Sequence, residues 1–491
     1  MTSNRQETTP GPAPTKSDRF VPDFTGLARQ AEQLAAGQVT SSELVEQTLE
    51  RIDQTQATLN AFRVVRSQGA REEALAADRR LAAGERLPLL GVPIAIKDDT
   101  NIAGETTMFG CGGDFKPATS DAEVVRRLRE AGAIVVGKTT TPEIGQWNVT
   151  AGPAFGVTRN PWNLDHTPGG SSGGAAAAVA AGVVAAAVGS DGAGSVRIPA
   201  AWSNLVGIKT QRGRVSSWPD AEAFNGLTAV GPLARTVEDA ALLLDVISGN
   251  HPGDLHKPAP PAEPFSRFAT RQPGSLRIAL SFKIPFSGVP AHLNDKVRAQ
   301  VERLAAVLSD LGHEVIEADP SYGMIGMAFM PLSMTGIREW ISRVPDASLL
   351  DRRTRHNGHM GRILGGPLLR LARRSQPLLH RRVGAIFKKV DVVLAPTTAQ
   401  PPLTADALAG LSSVNTDRVV VGACPYAWPW NVLGWPGVNV PAGFVDDNLP
   451  VGASLLGPAN SEGQLIALAA QLEQRERWYE RHPAAVPAFA I

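Results

Sequence analysis

The stretch GGSSGGAAAAVAAGVVAAAVGSDGAGSVRIP, residues 169–199, decides how this chain folds. Two glycine-rich turns that contain serines, at 169–174 and 189–195, enclose a run built almost entirely of Ala, Val and Gly. Residues 173–189 approach the length that crosses a bilayer, but alanine is only weakly apolar. We therefore predict one buried core helix that packs closely through its small residues.

On both sides of this stretch, helical spacing of apolar residues alternates with short β-type runs. An apolar helix face over 124–128 is stopped by Gly132 and followed by a β-type run at 133–136. The same order recurs over 297–317, where Gly312 ends the helix. Further strands are predicted at residues 276–280 and 390–395. Helices that alternate with apolar strands predict an α/β layered fold.

Composition limits the class of protein. Of the 491 residues, 43% are apolar and 19% are charged, which permits a large core and excludes a disordered polyampholyte. Lys and Arg total 48 against 47 Asp and Glu, so the net charge of +1 excludes a globally basic nucleic-acid binder. Two cysteines cannot build a disulfide framework, which indicates a reducing compartment. We expect a cytoplasmic protein without metal or cofactor.

One large domain is the predicted organisation. Residues 1–22 are rich in Thr, Pro and Ser, lack the apolar core of a secretory signal, and are expected to form a disordered tail. Residues 23–485 then form a single domain. The Pro-rich connection near 251–272 could be a domain linker, but strands on its two sides can equally belong to one sheet. A basic segment, residues 352–389, holds eleven Lys or Arg and no Asp or Glu.

Two short motifs match familiar patterns and are disfavoured on physical grounds. Residues 132–139, GAIVVGKT, fit the phosphate-binding string G-x-x-x-x-G-K-[ST], but their middle residues favour a buried strand where that motif needs a loop. Residues 170–174, GSSGG, fit the G-x-S-x-G nucleophile elbow, which needs a strand immediately before it. Residues 159–168, which precede it, are typical of a loop. A nucleotide site and a Ser172 triad are therefore not predicted.

The two glycine-rich turns fit acyl-transfer chemistry better. Glycine-rich loops and helix N-termini present backbone N–H groups that can hold a developing oxyanion, and serines in such turns are candidate nucleophiles. A serine hydroxyl needs a base, and neither turn contains a histidine. Lys97, at the end of the apolar run 89–96, can be that base if burial lowers its pKa by several units from ~10.4. A lysine in such a place is otherwise a surface residue with its stem on apolar neighbours.

Several motifs at fixed spacing resemble the amidase signature family. They are GVPIAIKD at 91–98, GKTTTPE at 137–143, RNPWN at 159–163, GGSSGG at 169–174, DGAGSVRIP at 191–199 and GWPGVNVP at 434–441. The resemblance extends, with gaps, from about Ser42 to Gln474. It implies the amidase signature fold, a large and mostly mixed central sheet covered by helices on both faces.

The resemblance also implies a Ser–cisSer–Lys triad. Ser195 is then the nucleophile, Lys97 is the general base, and Ser171, reached through a non-proline cis peptide after Gly170, bridges the two. The implied oxyanion-hole donors are the backbone N–H groups of Gly192, Ala193, Gly194 and Ser195, and the implied supporting residues are Ser172, Asp191 and Arg197. The implied activity is hydrolysis of a carboxylic acid amide to an acid and ammonia or an amine through a Ser195 acyl-enzyme.

One residue departs from the family pattern. The family more often has Gly-Gly before the nucleophile, where this chain has Ala193-Gly194. Because alanine disfavours positive φ, the change is expected to tune the oxyanion loop without abolishing it. The same string resembles the nylon-oligomer hydrolase branch of the family.

Three tryptophans, Trp428, Trp430 and Trp435, lie close to the last motif. Either they pack as an aromatic core, or one or two of them line a pocket for apolar or aryl amides. The expected partner is a small-molecule amide, and the sequence is compatible with a homodimer.

Rival functions stay open at this point. The glutamine-dependent tRNA amidotransferase has a catalytic component, its A chain, that is similar to the same family and would need glutamine and partner proteins. A catalytically inactive scaffold is disfavoured by the intact Lys97, Ser171 and Ser195. The basic segment 352–389, which leaves a net charge of −10 on the rest of the chain, is interpreted as a solvated helical face. Weak contact with an anionic membrane surface or an RNA-facing role are its alternatives, and no nucleic-acid partner is expected.

Overall fold

The computed structural model describes residues 23–446 and 448–484. The strands in these ranges are β1 Phe62–Val65, β2 Pro93–Lys97, β3 Ile134–Thr139, β4 Ala151–Gly152, β5 Gly156–Val157, β6 Ala186–Asp191, β7 Val206–Lys209, β8 Ala229–Ala234, β9 Arg277–Leu280, β10 Glu314–Glu317, β11 Val392–Pro396, β12 Gly437–Val445 and β13 Leu449–Leu456. The α-helices are α1 Leu27–Ala35, α2 Ser41–Leu59, α3 Ser67–Ala82, α4 Glu123–Glu130, α5 Gly173–Ala180, α6 Arg197–Trp202, α7 Val237–Ile247, α8 Phe265–Ala269, α9 Asp295–Asp310, α10 Gly326–Ile341, α11 Arg352–Ile363, α12 Pro367–Gly384, α13 Ser413–Ala423, α14 Pro429–Leu433 and α15 Glu462–Glu476. The predicted tail, residues 1–22, lies outside the described residues.

Eleven of the strands form one mixed sheet in the order β1-β3-β2-β6-β8-β7-β12-β13-β11-β9-β10. The neighbours β2–β3, β2–β6, β9–β10 and β9–β11 pair in parallel, and the remaining neighbours pair antiparallel. The predicted strands at 276–280, 314–317 and 390–395 appear as β9, β10 and β11. The mixed sheet expected from the resemblance is therefore confirmed.

The central strands alternate their side chains between two hydrophobic cores, one on each face of the sheet. In β2, Ile94 and Ile96 belong to one core and Ala95 to the other. The first core is covered by α7, α9 and α15, and the second by α2, α3 and α5. This period-two alternation places helices on both faces, the layered α/β arrangement predicted from the sequence.

The small-residue stretch corrects one expectation. It is not a single helix, because α5 ends at Ala180, Gly182 turns the chain at φ +69°, and β6 begins at Ala186. Every residue from 173 to 189 is buried. A methyl group on Gly174 would come within 2.5 Å of the Ala61 carbonyl oxygen, so the backbones approach closely. Burial through small residues is confirmed, but a helix and a strand together join the two serine-containing turns.

Two segments singled out in the sequence have defined places. The Pro-rich connection 251–272 contains the short helix α8, and the strands before and after it, β8 and β9, both belong to the eleven-stranded sheet. The basic segment 352–389 forms α11, α12 and the turn after them, packed against α10. No helix in the described ranges is both long and apolar enough to cross a membrane.

Candidate active site

The candidate site lies at the carboxyl edge of the parallel strands β2, β3 and β6. Lys97 is the last residue of β2, and Asp191 is the last residue of β6. The two strands are neighbours in the sheet and pair in parallel. Because parallel strands end at the same sheet edge, both residues lie at that edge, and Lys97 lines a cavity there. The neighbouring β3 spans Ile134–Thr139 as a fully buried strand. The decision against a phosphate-binding loop at 132–139 is therefore confirmed.

Lys97 is buried at 1% exposure and makes three polar contacts. Its Nζ donates to Ser171 Oγ at 2.7 Å and to Ser190 Oγ at 2.8 Å, and it lies 3.2 Å from Asp99 Oδ2. Burial lowers the pKa of Lys97 below the ordinary lysine value, whereas the negative charges of Asp99 and Asp191 raise it. Because burial is the largest of these effects, the neutral amine is favoured here relative to a lysine in water.

Ser171 follows a cis peptide bond after Gly170, in accord with the resemblance. Ser171 is buried, and its hydroxyl faces Lys97 at the start of the turn that leads into α5. Ser172 turns the other way: its hydroxyl donates to the Ser190 carbonyl oxygen at 3.2 Å, and its N–H donates to the Ser195 carbonyl oxygen. Ser172 thus ties the two glycine-rich turns together and is not oriented as a nucleophile.

Asp191 organises the second glycine-rich turn. Its carboxylate accepts from the backbone N–H groups of Gly194 at 2.7 Å and of Val196 at 3.2 Å, and Arg197 binds both of its oxygens at 3.0 Å. Burial alone would raise the pKa of Asp191, but the Arg197 guanidinium holds it well below the usual range. Asn431 closes the group, because its Nδ2 donates to the Asp191 carboxylate at 2.9 Å. The predicted supporting pair of Asp191 and Arg197 is in contact.

The backbone donors of this turn require one correction. The N–H of Gly194 points to Asp191, so it is not available to an oxyanion as the sequence analysis expected. Within the described residues, the N–H groups of Gly192, Ala193 and Ser195 have no hydrogen-bond acceptor, which leaves three candidate donors. Gly194 needs its glycine because its φ is +112° and a methyl group would come within 2.5 Å of the Ala427 Cβ.

Ala193 is compatible with this geometry. It is absent from the residues with positive φ, so its methyl group costs no strain, and it packs at the edge of a hydrophobic cluster. The departure from the Gly-Gly pattern therefore leaves the shape of the turn intact.

A cavity of about 200 Å³ opens onto these residues. Lys97, Ser171 and Ser195 all line it, together with the Gly192–Ala193 backbone. The Ser195 hydroxyl has no hydrogen-bond partner in the part of the chain that the structure describes. Among the described residues that line the cavity, Lys97 is the sole lysine, and none is an arginine or a histidine. Lys97 is therefore the one amine or imidazole base among the described residues that line this cavity.

The cavity walls are largely apolar. One face of α10 contributes residues at helical spacing, among them Phe329, Met330, Ile337 and Trp340. Trp428 lines the cavity as well, and its ring lies 5.0 Å from that of Phe329. The other two tryptophans do not: Trp430 is fully buried and donates to the Gly457 carbonyl oxygen, and Trp435 stacks on His380. One of the three predicted pocket residues is thus in place.

Some site residues escaped the sequence analysis. Asp99 and Ser190 contact Lys97. Asp99 directly follows the motif at 91–98 and Ser190 directly precedes the motif at 191–199, and this adjacency is the feature of the sequence that could have indicated them. Asn431 comes from the short helix α14, far away in sequence, and the residues around it give no chemical pattern. Ile144 lines the cavity at φ +56°, a conformation costly for a β-branched residue. No trio of His, Cys, Asp or Glu that could ligate a metal occurs within 23–446 and 448–484.

Comparison with known proteins identifies the family of this chain. The Amidase family model matches residues 43–466. A Mycobacterium tuberculosis protein named "Putative amidase AmiA2" is 57% identical over 452 residues, which cover 92% of this chain and 93% of that protein. A more distant relative is the A component of the glutamyl-tRNA(Gln) amidotransferase of Roseiflexus castenholzii. It is 36% identical, and the match covers 93% of this chain and 97% of that protein.

Solved structures agree as well. A 6-aminohexanoate cyclic dimer hydrolase in complex with substrate superposes with a TM-score of 0.86 at 29% identity, covering 94% of this chain and 99% of that one. A bacterial aryl acylamidase of the amidase signature family superposes with a TM-score of 0.85 at 27% identity, covering 96% and 99%. Fold and site together define a hydrolase that acts on amide C–N bonds. The chain belongs to the amidase signature family.

Proposed function

We propose that this enzyme hydrolyses carboxylic acid amides through an acyl-enzyme on Ser195, with Ser171 as the proton bridge and Lys97 as the general base. The observation that carries the proposal is the 2.7 Å contact between the fully buried Lys97 Nζ and Ser171 Oγ, beside Ser195 in one cavity. Burial lowers the pKa of Lys97, which favours the neutral amine that a base requires.

The proposed reaction moves one proton along a relay while a C–O bond forms and the C–N bond breaks. The lone pair of neutral Lys97 takes the proton of Ser171 while Ser171 takes the proton of Ser195, and the Ser195 oxygen bonds to the amide carbonyl carbon. The free N–H groups of Gly192, Ala193 and Ser195 donate hydrogen bonds to the negatively charged carbonyl oxygen. The proton returns through Ser171 to the leaving nitrogen, the C–N bond breaks, and the amine departs. Water then attacks the ester by the same relay, and the acid is released.

The cavity supports apolar amides as substrates. Its walls of Phe329, Met330, Ile337, Trp340 and Trp428 offer aromatic and aliphatic contacts on several sides. Contacts of this kind suit an aryl or alkyl group better than the small polar side chain of glutamine. They therefore favour a broad amidase over the A chain of a tRNA amidotransferase, whose donor is glutamine.

A turnover assay with matched variants tests this proposal. The purified chain should release p-nitroaniline from short acyl p-nitroanilides. Ser195→Ala should lose turnover, and Lys97→Met, which lacks the base, should turn over about 10²–10⁴ times more slowly. Ser120→Ala is the matched serine control, because Ser120 is exposed and does not line the cavity. Turnover at the wild-type rate in Ser195→Ala would contradict the assignment. Hydrolysis of glutamine alone would favour the amidotransferase role, and no turnover of any amide would favour the scaffold.

We also propose that the basic segment makes weak contact with anionic surfaces. On α12, the exposed Leu371 and Leu378 lie beside the exposed Arg370, Arg374 and Arg381, an arrangement typical of interfacial helices. Vesicles rich in phosphatidylserine should co-sediment the protein at low salt and lose it at high salt, and Arg374→Glu with Arg381→Glu should weaken this binding. No binding at low salt would leave the segment as a solvated face.

Location and assembly also stay proposals. A cytoplasmic location is supported by Cys111 and Cys424, which are both free and buried. Cell fractionation tests it, and recovery of the enzyme outside the cytoplasm would contradict it. Sedimentation of the purified chain tests the homodimer expected from the sequence.

A further inference from the structure

Lys97 has one polar neighbour for each hydrogen of an ammonium group. Its Nζ lies 2.7 Å from Ser171 Oγ, 2.8 Å from Ser190 Oγ and 3.2 Å from Asp99 Oδ2. The neutral amine that the proposed chemistry needs has only two N–H donors, and its third position is a lone pair. That lone pair must face one of the three neighbours, and the relay from Ser195 works only if it faces Ser171.

Asp99 is not the neighbour that faces the lone pair. A carboxylate only accepts hydrogen bonds, so a lone pair pointing at its oxygen would be repelled. The Asp99 carboxylate is held in its orientation because its Oδ1 accepts from the Thr100 hydroxyl at 3.1 Å. Its Oδ2 is thereby left for Ser190 and Lys97. One N–H of the neutral amine therefore points to Asp99.

Ser190 is excluded by the position of its own proton. A hydroxyl has a single hydrogen to donate, and Ser190 Oγ donates it to Asp99 Oδ2 in a short contact. Without that proton between them, the two oxygens would repel each other. Ser190 Oγ therefore only accepts from Lys97, and it takes the second N–H of the neutral amine. Ser171 is the neighbour that remains, and its hydroxyl donates to the lone pair.

We propose that Ser190 is a positioning residue for amide hydrolysis, because it holds the lone pair of neutral Lys97 on the Ser171 hydroxyl. Successive residues of a strand point to opposite faces, so β6 turns Ser190 toward Lys97 and the next residue, Asp191, toward the oxyanion turn. The role differs from that of Asp99, whose charge acts on the ionisation of Lys97. Ser190 is neutral and fixes a direction. This inference rests on the proposed role of Lys97 as the base.

Three substitutions of Ser190 separate its hydroxyl from its volume. Ser190→Ala removes one acceptor of Lys97, so the lone pair can turn into the vacated position. Above the acid limb of the pH–rate profile, we expect kcat for a p-nitroanilide to fall about tenfold with KM unchanged, the usual effect of one hydrogen bond. Ser190→Thr keeps the hydroxyl and should keep most of the turnover. Ser190→Cys keeps the size but has a weak donor and acceptor, so it should resemble Ser190→Ala. A cysteine variant more active than the threonine variant would indicate a packing role and overturn the proposal.

A double-mutant cycle with Asp99 tests the direction of the lone pair itself. In Asp99→Ala the Ser190 proton has lost its acceptor and can bind the lone pair in place of the Ser171 proton. In that background Ser190→Ala removes a competitor, so it should leave kcat unchanged or raise it instead of lowering it about tenfold. The same loss in both backgrounds would overturn the proposal, and so would wild-type turnover in Ser190→Ala.

Ser454→Ala is the matched control. Ser454 is a buried serine on β13 whose hydroxyl contacts Thr397, and it is not among the described residues that line the cavity. It should keep the wild-type kcat, and an equal loss there would overturn the specific role of Ser190. Lys97→Met tests the proposed function separately. Wild-type turnover in a folded Lys97→Met enzyme would overturn the base, whereas unchanged turnover in Ser190→Ala beside a loss in Lys97→Met would overturn only the positioning role.

Discussion

Replacing Asp99 with asparagine should move the acid limb of the pH–rate profile to lower pH. The Asp99 carboxylate lies 3.2 Å from Lys97 Nζ, and the two side chains are only 11% and 1% exposed. Burial lowers the pKa of Lys97, and Asp99 raises it. Because the proposed base acts only as a neutral amine, removal of this negative charge disfavours the ammonium. The neutral amine then persists to lower pH.

The magnitude follows from the distance. At 3.2 Å and an effective dielectric constant of about 20, two unit charges attract by roughly 5 kcal/mol, which is an upper limit for a hydrated site. Opposite charges this close shift titrations in proteins by about one to three pH units. We therefore expect the midpoint of the acid limb of kcat/KM to fall by about one to three pH units in Asp99→Asn. The asparagine oxygen can still accept from the Ser190 hydroxyl, so the local hydrogen bond is preserved.

The assay is p-nitroanilide hydrolysis over the pH range in which thermal melts show an intact fold. Asp53→Asn, an exposed carboxylate on α2, is the matched control and should leave the profile unchanged. An acid limb that stays in place in a folded Asp99→Asn enzyme, or that moves to higher pH, would refute the role given to the Lys97–Asp99 pair.

Two further predictions concern the oxyanion turn and a partly buried glutamate. Gly194→Ala should reduce turnover by about 10²–10³, because its methyl group would collide with Ala427 and displace the backbone donors. Ala193→Gly should keep a turnover close to that of the wild type. Steady-state kinetics of the two variants test this, and equal losses of turnover would contradict it. Burial raises the pKa of Glu473 to about 8, above its value of about 4.3 in the unfolded chain. Between these two values the folded chain keeps a proton that the unfolded chain has lost, so the free energy of unfolding falls as the pH rises from about 4.3 toward 8. Glu473→Gln should therefore raise the melting temperature, and by more at pH 8 than near the unfolded pKa; a gain independent of pH would contradict the assignment.

The sequence predicted the residues of the site better than it predicted the path of the chain between them. Lys97, Ser171 and Ser195 stand in ordered motifs, and the structure brings them to one cavity. The run between the two serines was expected to be one helix, because Ala and Val fit both a buried helix and a buried strand. Gly182, with φ +69°, marks the break between them. A glycine in an alanine-rich run gives no sign of its φ in the sequence.

Contacts between elements that are distant in sequence could not be predicted in the same way. Asn431 reaches Asp191 across a large separation in sequence, and only packing puts it there. The Gly194 N–H likewise donates to Asp191 because of the local backbone geometry, which the sequence does not show. Four oxyanion donors were therefore predicted where three are free.

The rate of covalent labelling of Ser195 measures how far Lys97 activates its hydroxyl. A fluorophosphonate reacts with a serine that its base has activated, and peptide mass spectrometry locates the adduct. We expect a single adduct on Ser195, formed about 10²–10⁴ times more slowly in Lys97→Met, since the base is lost while the Ser195 hydroxyl stays exposed to the cavity. An adduct on another serine, or equally fast labelling of Ser195 in a folded Lys97→Met enzyme, would contradict it.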